Sequence, residues 1–137
     1  MNTTSRILLA LAAAMLLLAT VLGAYGAHAL ATVLPPARLS AYGTAVDYQF
    51  YHGLGLLAVA LLTDRYPQRG AFRLAALLLV AGIVLFCGAL YATSFGAPAA
   101  VGLAAPIGGT ALMLAWLTLA VGAWLARQQG RAPDPLA

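Results

Sequence analysis

The sequence predicts an all-α integral membrane protein: an antiparallel, up-down bundle of four transmembrane helices. Three observations carry that expectation. The chain of 137 residues is 64% hydrophobic and only 7% charged, against about 25% charged residues in soluble domains. Four apolar runs, near 7–26, 45–63, 74–93 and 106–126, each approach the roughly 20 residues a helix needs to cross a bilayer. The segments between them are short, which makes successive helices antiparallel neighbours. The length leaves room for a single membrane domain spanning 1–137.

Taken in order, Arg6 precedes the first run. A secretory signal would use Arg6, the Leu/Ala run and Ala27-His28-Ala29 as its cleavage motif. The run is long for a signal, however, and reads as a retained span. Gly23 and Gly26, near its end, let a neighbouring backbone come close. Residues 30–43 contain Pro35-Pro36. Adjacent prolines do not fit inside a helix, so this segment is expected along the membrane surface, with Leu39 and Tyr42 dipping into the headgroups. Thr44, with Asp47 three residues on, fits a capping arrangement that opens the second span. The helix dipole favours a negative charge there, which gives Asp47 a structural task rather than a catalytic one.

The second span runs to about residue 63 and is followed by a polar loop at 64–70, with Arg73 anchoring the third span. That span carries small residues at Ala81, Gly82, Gly88 and Ala89. Residues 94–105 form an uncharged connection broken by Gly96, Pro98 and Gly102. Pro106 suits the first turn of the fourth span, where its missing N–H is not needed. Gly108-Gly109 make that start closely approachable, and Trp124, near the far end, suits an interfacial belt. Residues 127–137 are expected to be a disordered polar tail.

Every basic side chain is an arginine, the acids are Asp47, Asp64 and Asp134, and the net charge is +4. The arginines form no stripe of the kind that binds nucleic acid. They sit at the ends of the apolar runs. Arg6, Arg65, Arg69, Arg73, Arg127 and Arg131 fall on one side of a four-span topology and Arg38 alone on the other. The positive-inside rule then makes both termini cytoplasmic and sets Arg65, Arg69 and Arg73 against the anionic headgroups of the inner leaflet. The single cysteine, Cys87, rules out an internal disulfide and reads as a core residue. No metal-ligand spacing is present, so neither a metal nor a cofactor is expected.

One stretch stands apart from the hydrocarbon: Thr44 to Leu57, TAVDYQFYHGLGLL. On a helix Tyr48, Gln49 and His52 are expected to share one face, and polar groups on a membrane helix turn toward protein or water. His52 would lie about 12 Å along its helix, beneath the headgroups and uncharged. The ends of the first and third spans bring His28 and Tyr91 to the same outer layer. His28, Tyr48, Gln49, His52 and Tyr91 are therefore the candidate polar network or ligand pocket, with Gly23, Gly26, Gly88, Gly108 and Gly109 as close-packing positions.

The motifs GAYGAHAL at 23–30, TAVDYQFYHGLGLL at 44–57, LFCGALY at 85–91 and APIGG at 105–109 together resemble the YgdD/YwdK family. These are small bacterial inner-membrane proteins of unknown function, with relatives in eukaryotes. The resemblance covers about 5–126 and implies the four-helix fold and an inner-membrane location. It carries over His28, Tyr48, Gln49, His52, Tyr91, Pro106, Gly108 and Gly109 as family-like positions. The family often has serine at Cys87, threonine at Ala105 and alanine at Gly53, so two hydroxyls are missing here.

Three function classes fit these residues. In the first, a structural or interaction module, the polar network locks the outer half of the bundle while Gly/Ala faces pack on copies or on another membrane protein. The alternative is an outer-leaflet site for a small amphiphile, a lipid or a quinone. A third is a haem or metal held by His28 and His52. No serine or cysteine adjoins a histidine, so a hydrolase is not expected.

Overall fold

The computed structural model describes residues 1–129. In chain order the elements are α1 (Thr3–His28), a 3-10 turn (Leu30–Thr32), α2 (Pro36–Arg65), α3 (Gly70–Ser94), the single turn α4 (Ala99–Gly102) and α5 (Ala104–Gln129). Helices α1, α2, α3 and α5 are long and apolar enough to cross a membrane. The all-α, four-span architecture read from the sequence is the one observed.

The largest departure lies at the start of α2. Pro36 is its first residue, so most of 30–43 is helix and not a surface connection. Proline needs no N–H in the first turn, and Pro35 stands just outside it, so the pair begins the helix. Thr44 and Asp47 are consequently interior positions and cap nothing. Thr44 Oγ1 donates to Ser40 O at 3.1 Å, within its own helix, and Asp47 is exposed. Helix α5 continues to Gln129, which takes in the first residues of the expected tail. Residues 130–137, with Arg131 and Asp134, lie outside the described residues.

Two helix ends show why the elements stop where they do. Asn2 caps α1: its Oδ1 accepts from Ser5 N at 2.9 Å. The Asn2 amide also donates to Asp64 Oδ1 at 2.8 Å, and its Nδ2 to Thr63 O at 3.3 Å, tying the start of α1 to the end of α2. At the end of α3, Gly96 takes φ +92°, a region open to glycine. Gly96 N donates to Thr93 O and Ala97 N to Ala92 O, each at 3.0 Å, the paired bonds of a Schellman stop.

Packing runs α1 on α2, α2 on α3 and α3 on α5, with no comparable contact between α1 and α5. The inner pair is more enclosed: 44% and 39% of the most apolar stretch of α2 and α3 is buried, against 17% for α1 and for α5. Along α2 the buried residues Tyr42, Ala45, Gln49, His52, Leu56, Val59 and Thr63 recur in alternating steps of three and four, the seam expected of left-handed helix packing. Leu56, Val59 and Ala60 meet Phe72, Ala75, Ala76 and Leu79 of α3, with Leu8 and Ala12 of α1 and Leu112 and Ala115 of α5 closing the core. Cys87 is buried in this core as well.

Glycines let the helices approach. A Cβ on Gly108 would run into the Phe86 amide of α3, and one on Gly26 would stand 2.7 Å from the Tyr42 ring. A Cβ on Gly23 would sit tightly against Val46, at 3.3 Å, whereas one on Gly109 would meet the Phe86 ring at ordinary range. Gly88 is the exception. It is exposed with nothing within 4 Å of its Cβ position, because it borders an open hollow between α1, α2 and α3.

Candidate functional site

The polar residues of α2 divide between its two flanks. Toward α1 and α3, Gln49 is 3% exposed and both ends of its amide are engaged. Nε2 donates to Met15 O of α1 at 2.9 Å, and Oε1 accepts from the Tyr91 hydroxyl of α3 at 2.9 Å. Two turns earlier, Tyr42 is buried rather than at the headgroups. Its hydroxyl donates to Leu22 O at 2.8 Å, and its ring meets Tyr91 edge-on at 5.2 Å. Three helices are thus pinned by satisfied hydrogen bonds. An apolar hollow of about 260 Å³ lies beside them, lined in part by Gln49, Cys87 and Gly88.

The other flank of α2 faces a cleft of about 800 Å³ shared with α3 and α5. Its floor is a run of four rings. Phe86 lies 4.7 Å from Tyr48, Tyr48 stacks on His52 at 5.5 Å, and His52 sits 5.9 Å from Trp116. Gly55 makes room for Trp116, whose Cη2 comes within 2.9 Å of the position a Cβ would take. Pro106, Gly109, Thr110 and Met113 of α5 form the opposite wall. Thr110 spends its hydroxyl proton on Pro106 O at 2.9 Å and keeps its lone pairs.

His52 is 8% exposed. Its Nδ1 is 2.7 Å from Tyr48 O, and a carbonyl can only accept, so Nδ1 carries the proton. The other ring nitrogen, Nε2, has no hydrogen-bond partner among the described residues. Among the described residues no fully buried side-chain nitrogen or oxygen lacks a partner, so the unpaired Nε2 opens on the cleft. In the neutral ring it offers a lone pair to whatever occupies that space. The cleft falls within the roughly 300–1,000 Å³ typical of ligand sites.

The five residues expected in one network therefore separate. Gln49 and Tyr91 pair on one flank of α2; Tyr48 and His52 stack on the other. His28 joins neither: it is the last residue of α1, exposed, and its side chain makes no hydrogen bond to the described residues. The reason is angular: Tyr48 and Gln49 are adjacent and diverge by about 100° around the helix. A haem gripped by His28 and His52 would need a space lined by both, and the cleft at His52 does not reach His28. Among the described residues no group of three or more His, Cys, Asp or Glu could hold a metal.

Sequence reasoning gave no site role to Tyr51, Phe86 or Trp116 and set the buried Tyr42 among the headgroups. Tyr42 was findable from the buried seam of α2, which extends back to it in steps of three and four. The approach of Trp116 to His52 depends on how α5 packs and leaves no mark in either helix alone.

At the opposite end of the molecule, Arg65 lies over the Tyr66 ring at 5.4 Å. Arg69 reaches Leu125 O of α5 at 3.2 Å, and Arg73 Nη2 donates to Pro67 O at 2.8 Å. These arginines gather with the start of α1 and the end of α5, while Arg38 lies near Gly96 at the far end.

A family model described as a protein of unknown function (DUF423) matches residues 22–109. The chain is similar to the UPF0382 membrane protein YwdK of Bacillus subtilis, 42% identical over 107 residues, or 78% of this chain and 87% of the relative. A UPF0382 membrane protein of Haemophilus influenzae is 38% identical over 103 residues, covering 75% and 82%. The UPF0382 inner membrane protein YgdD of Escherichia coli K12 is 30% identical over 127 residues, covering 93% and 96%. No solved structure matches the chain.

Proposed function

The chain belongs to the UPF0382 (DUF423) family of membrane proteins, and from that premise we propose that it is a binding module for a small amphiphile held between α2, α3 and α5. The observation that carries this reading is the unpaired Nε2 of a nine-tenths-buried His52. A polar atom so deep in a membrane protein normally has a partner, and here the described residues supply none. The cleft beside it has the size and aromatic lining of a ligand site.

The arginine distribution supports an orientation with both termini in the cytoplasm, which makes the cleft an outer-leaflet site and sets Arg65, Arg69 and Arg73 at the inner headgroups. Reporter fusions after residue 129 and within the loop between α2 and α3 are expected to report cytoplasm. A periplasmic signal from either would reverse the orientation.

The test of binding is mass spectrometry of the protein purified in mild detergent. One small molecule should be retained in a fixed ratio by the wild type and lost on Trp116→Ala, which removes a wall of the cleft. A second reading, a structural or interaction module, has the doubly bonded Gln49 in its favour. It gains if the wild type retains nothing beyond bulk lipid and runs as a defined oligomer or complex.

A further inference from the structure

We infer that the cleft takes the headgroup of a membrane hydroquinone, a flat ring bearing hydroxyl donors, in preference to the oxidised quinone; this rests on the binding role proposed above. The polarity of His52 makes the selection. Its Nδ1 proton is committed to Tyr48 O at 2.7 Å, so the neutral ring meets a ligand through a lone pair at Nε2. That atom can accept a hydrogen bond and cannot give one. A hydroquinone hydroxyl donates to it. A quinone carbonyl brings lone pair against lone pair at this atom. The Tyr48 and Tyr51 hydroxyls and the Trp116 indole N–H also line the cleft, but they can donate to either form, since a hydroquinone oxygen accepts as well; only Nε2 tells the two apart.

The walls argue for a ring. Tyr48, His52 and Trp116 present successive aromatic surfaces with centroids 5.5 and 5.9 Å apart, and aromatic groups favour offset or edge contacts at such spacings. An aliphatic alcohol on a lipid shares the donor but makes no use of these surfaces. The site also has the right depth. His52 stands about 20 Å along α2 from the Arg65 end, at about 1.5 Å per residue, within a hydrocarbon layer about 30 Å thick. A ligand reaching it must be carried by the lipid. Only binding is assigned here; no electron or proton transfer is required of the protein.

The probes are a decyl-substituted benzohydroquinone kept reduced, the matching benzoquinone and the redox-inert bis-methyl ether, with dioleoylglycerol as the aliphatic alcohol. Each is partitioned against the full-length protein in detergent micelles and compared with empty micelles. The hydroquinone is expected to bind about tenfold more tightly than the quinone or the ether, the worth of one hydrogen bond in a buried site. It should also outcompete dioleoylglycerol. His52→Phe, which keeps a ring in place and removes the acceptor, should bring hydroquinone and ether to the same affinity.

Equal binding of hydroquinone, quinone and ether to the wild type, lost on Trp116→Ala, would overturn the redox selectivity while leaving a binding module. Stronger binding of dioleoylglycerol would overturn the ring assignment in favour of an alcohol lipid. If no probe binds above empty micelles and no small molecule co-purifies, the binding role itself falls. The wild-type comparison of hydroquinone with ether needs no variant, so a folding defect in His52→Phe cannot mask the outcome.

Discussion

Gln49 and His52 are one turn apart on the same helix, both buried, and they differ in what the chain does for them. Gln49 has an acceptor on α1 and a donor on α3. His52 has only the carbonyl of its own preceding turn. Equal burial therefore does not mean equal role. The flank where the protein answers every polar atom is a fastening. The flank where it leaves one unanswered, inside a cleft, is the one to which the proposed binding role is assigned. The count of partners separates the two where depth and residue type cannot.

The largest expected effect comes from closing off the cleft side of the fold. Gly108→Val drives a side chain into the Phe86 backbone and should cost about 3 kcal/mol or more, as overpacking against backbone does. Unfolding titrations in detergent measure it. If the variant is as stable as wild type, the α3–α5 contact is not the close one described.

Next comes the fastening itself. Gln49→Leu should cost about 1–2 kcal/mol, because it strips the Tyr91 hydroxyl of its acceptor. Adding Tyr91→Phe should then cost little more, and the cycle should give a coupling of about 0.5 kcal/mol or above. Additive penalties would mean that Gln49 and Tyr91 do not share a bond. Smaller again is Tyr42→Phe, which removes a single hydroxyl from Leu22 O and should cost about 0.6 kcal/mol, an average bond between membrane helices.

The smallest stability effect belongs to the residue with the greatest expected effect on binding. His52→Ala leaves no protein donor or acceptor from another helix stranded, so its melting should shift by less than that of Gln49→Leu. His28→Ala should combine with it additively, within about 0.5 kcal/mol. A combined penalty well below the sum would show that the two histidines interact, contrary to the exposed position of His28.

Much of the fold was legible because its causes are local. Apolar run length marks each span, and arginines mark the ends. The start of α2 was not, since Pro35-Pro36 reads as a break until one asks whether the pair could begin a helix. The seam reaching back to Tyr42 answers that it does. At the site, TAVDYQFYHGLGLL does hold both Gln49 and His52, but neighbouring polar residues were assigned a common direction. The angular step between Tyr48 and Gln49 divides them between different partner helices. Which flank would be satisfied depended on Met15, Tyr91 and Trp116, residues from three other helices.

Helices α1 and α5 each lean chiefly on one inner neighbour and make no comparable contact with one another. The molecule is therefore expected to loosen in separable units rather than all at once. Helix α5 is closely packed on α3 but has little hold on α2, so its inner flank can ease from α2 while Gln49 still clasps α1, α2 and α3. Amide exchange should be slowest along the mid-sections of α2 and α3 and faster in α5. A partial opening of that kind would part Trp116 from His52 and admit a bulky headgroup from the bilayer, with the rest of the fold undisturbed.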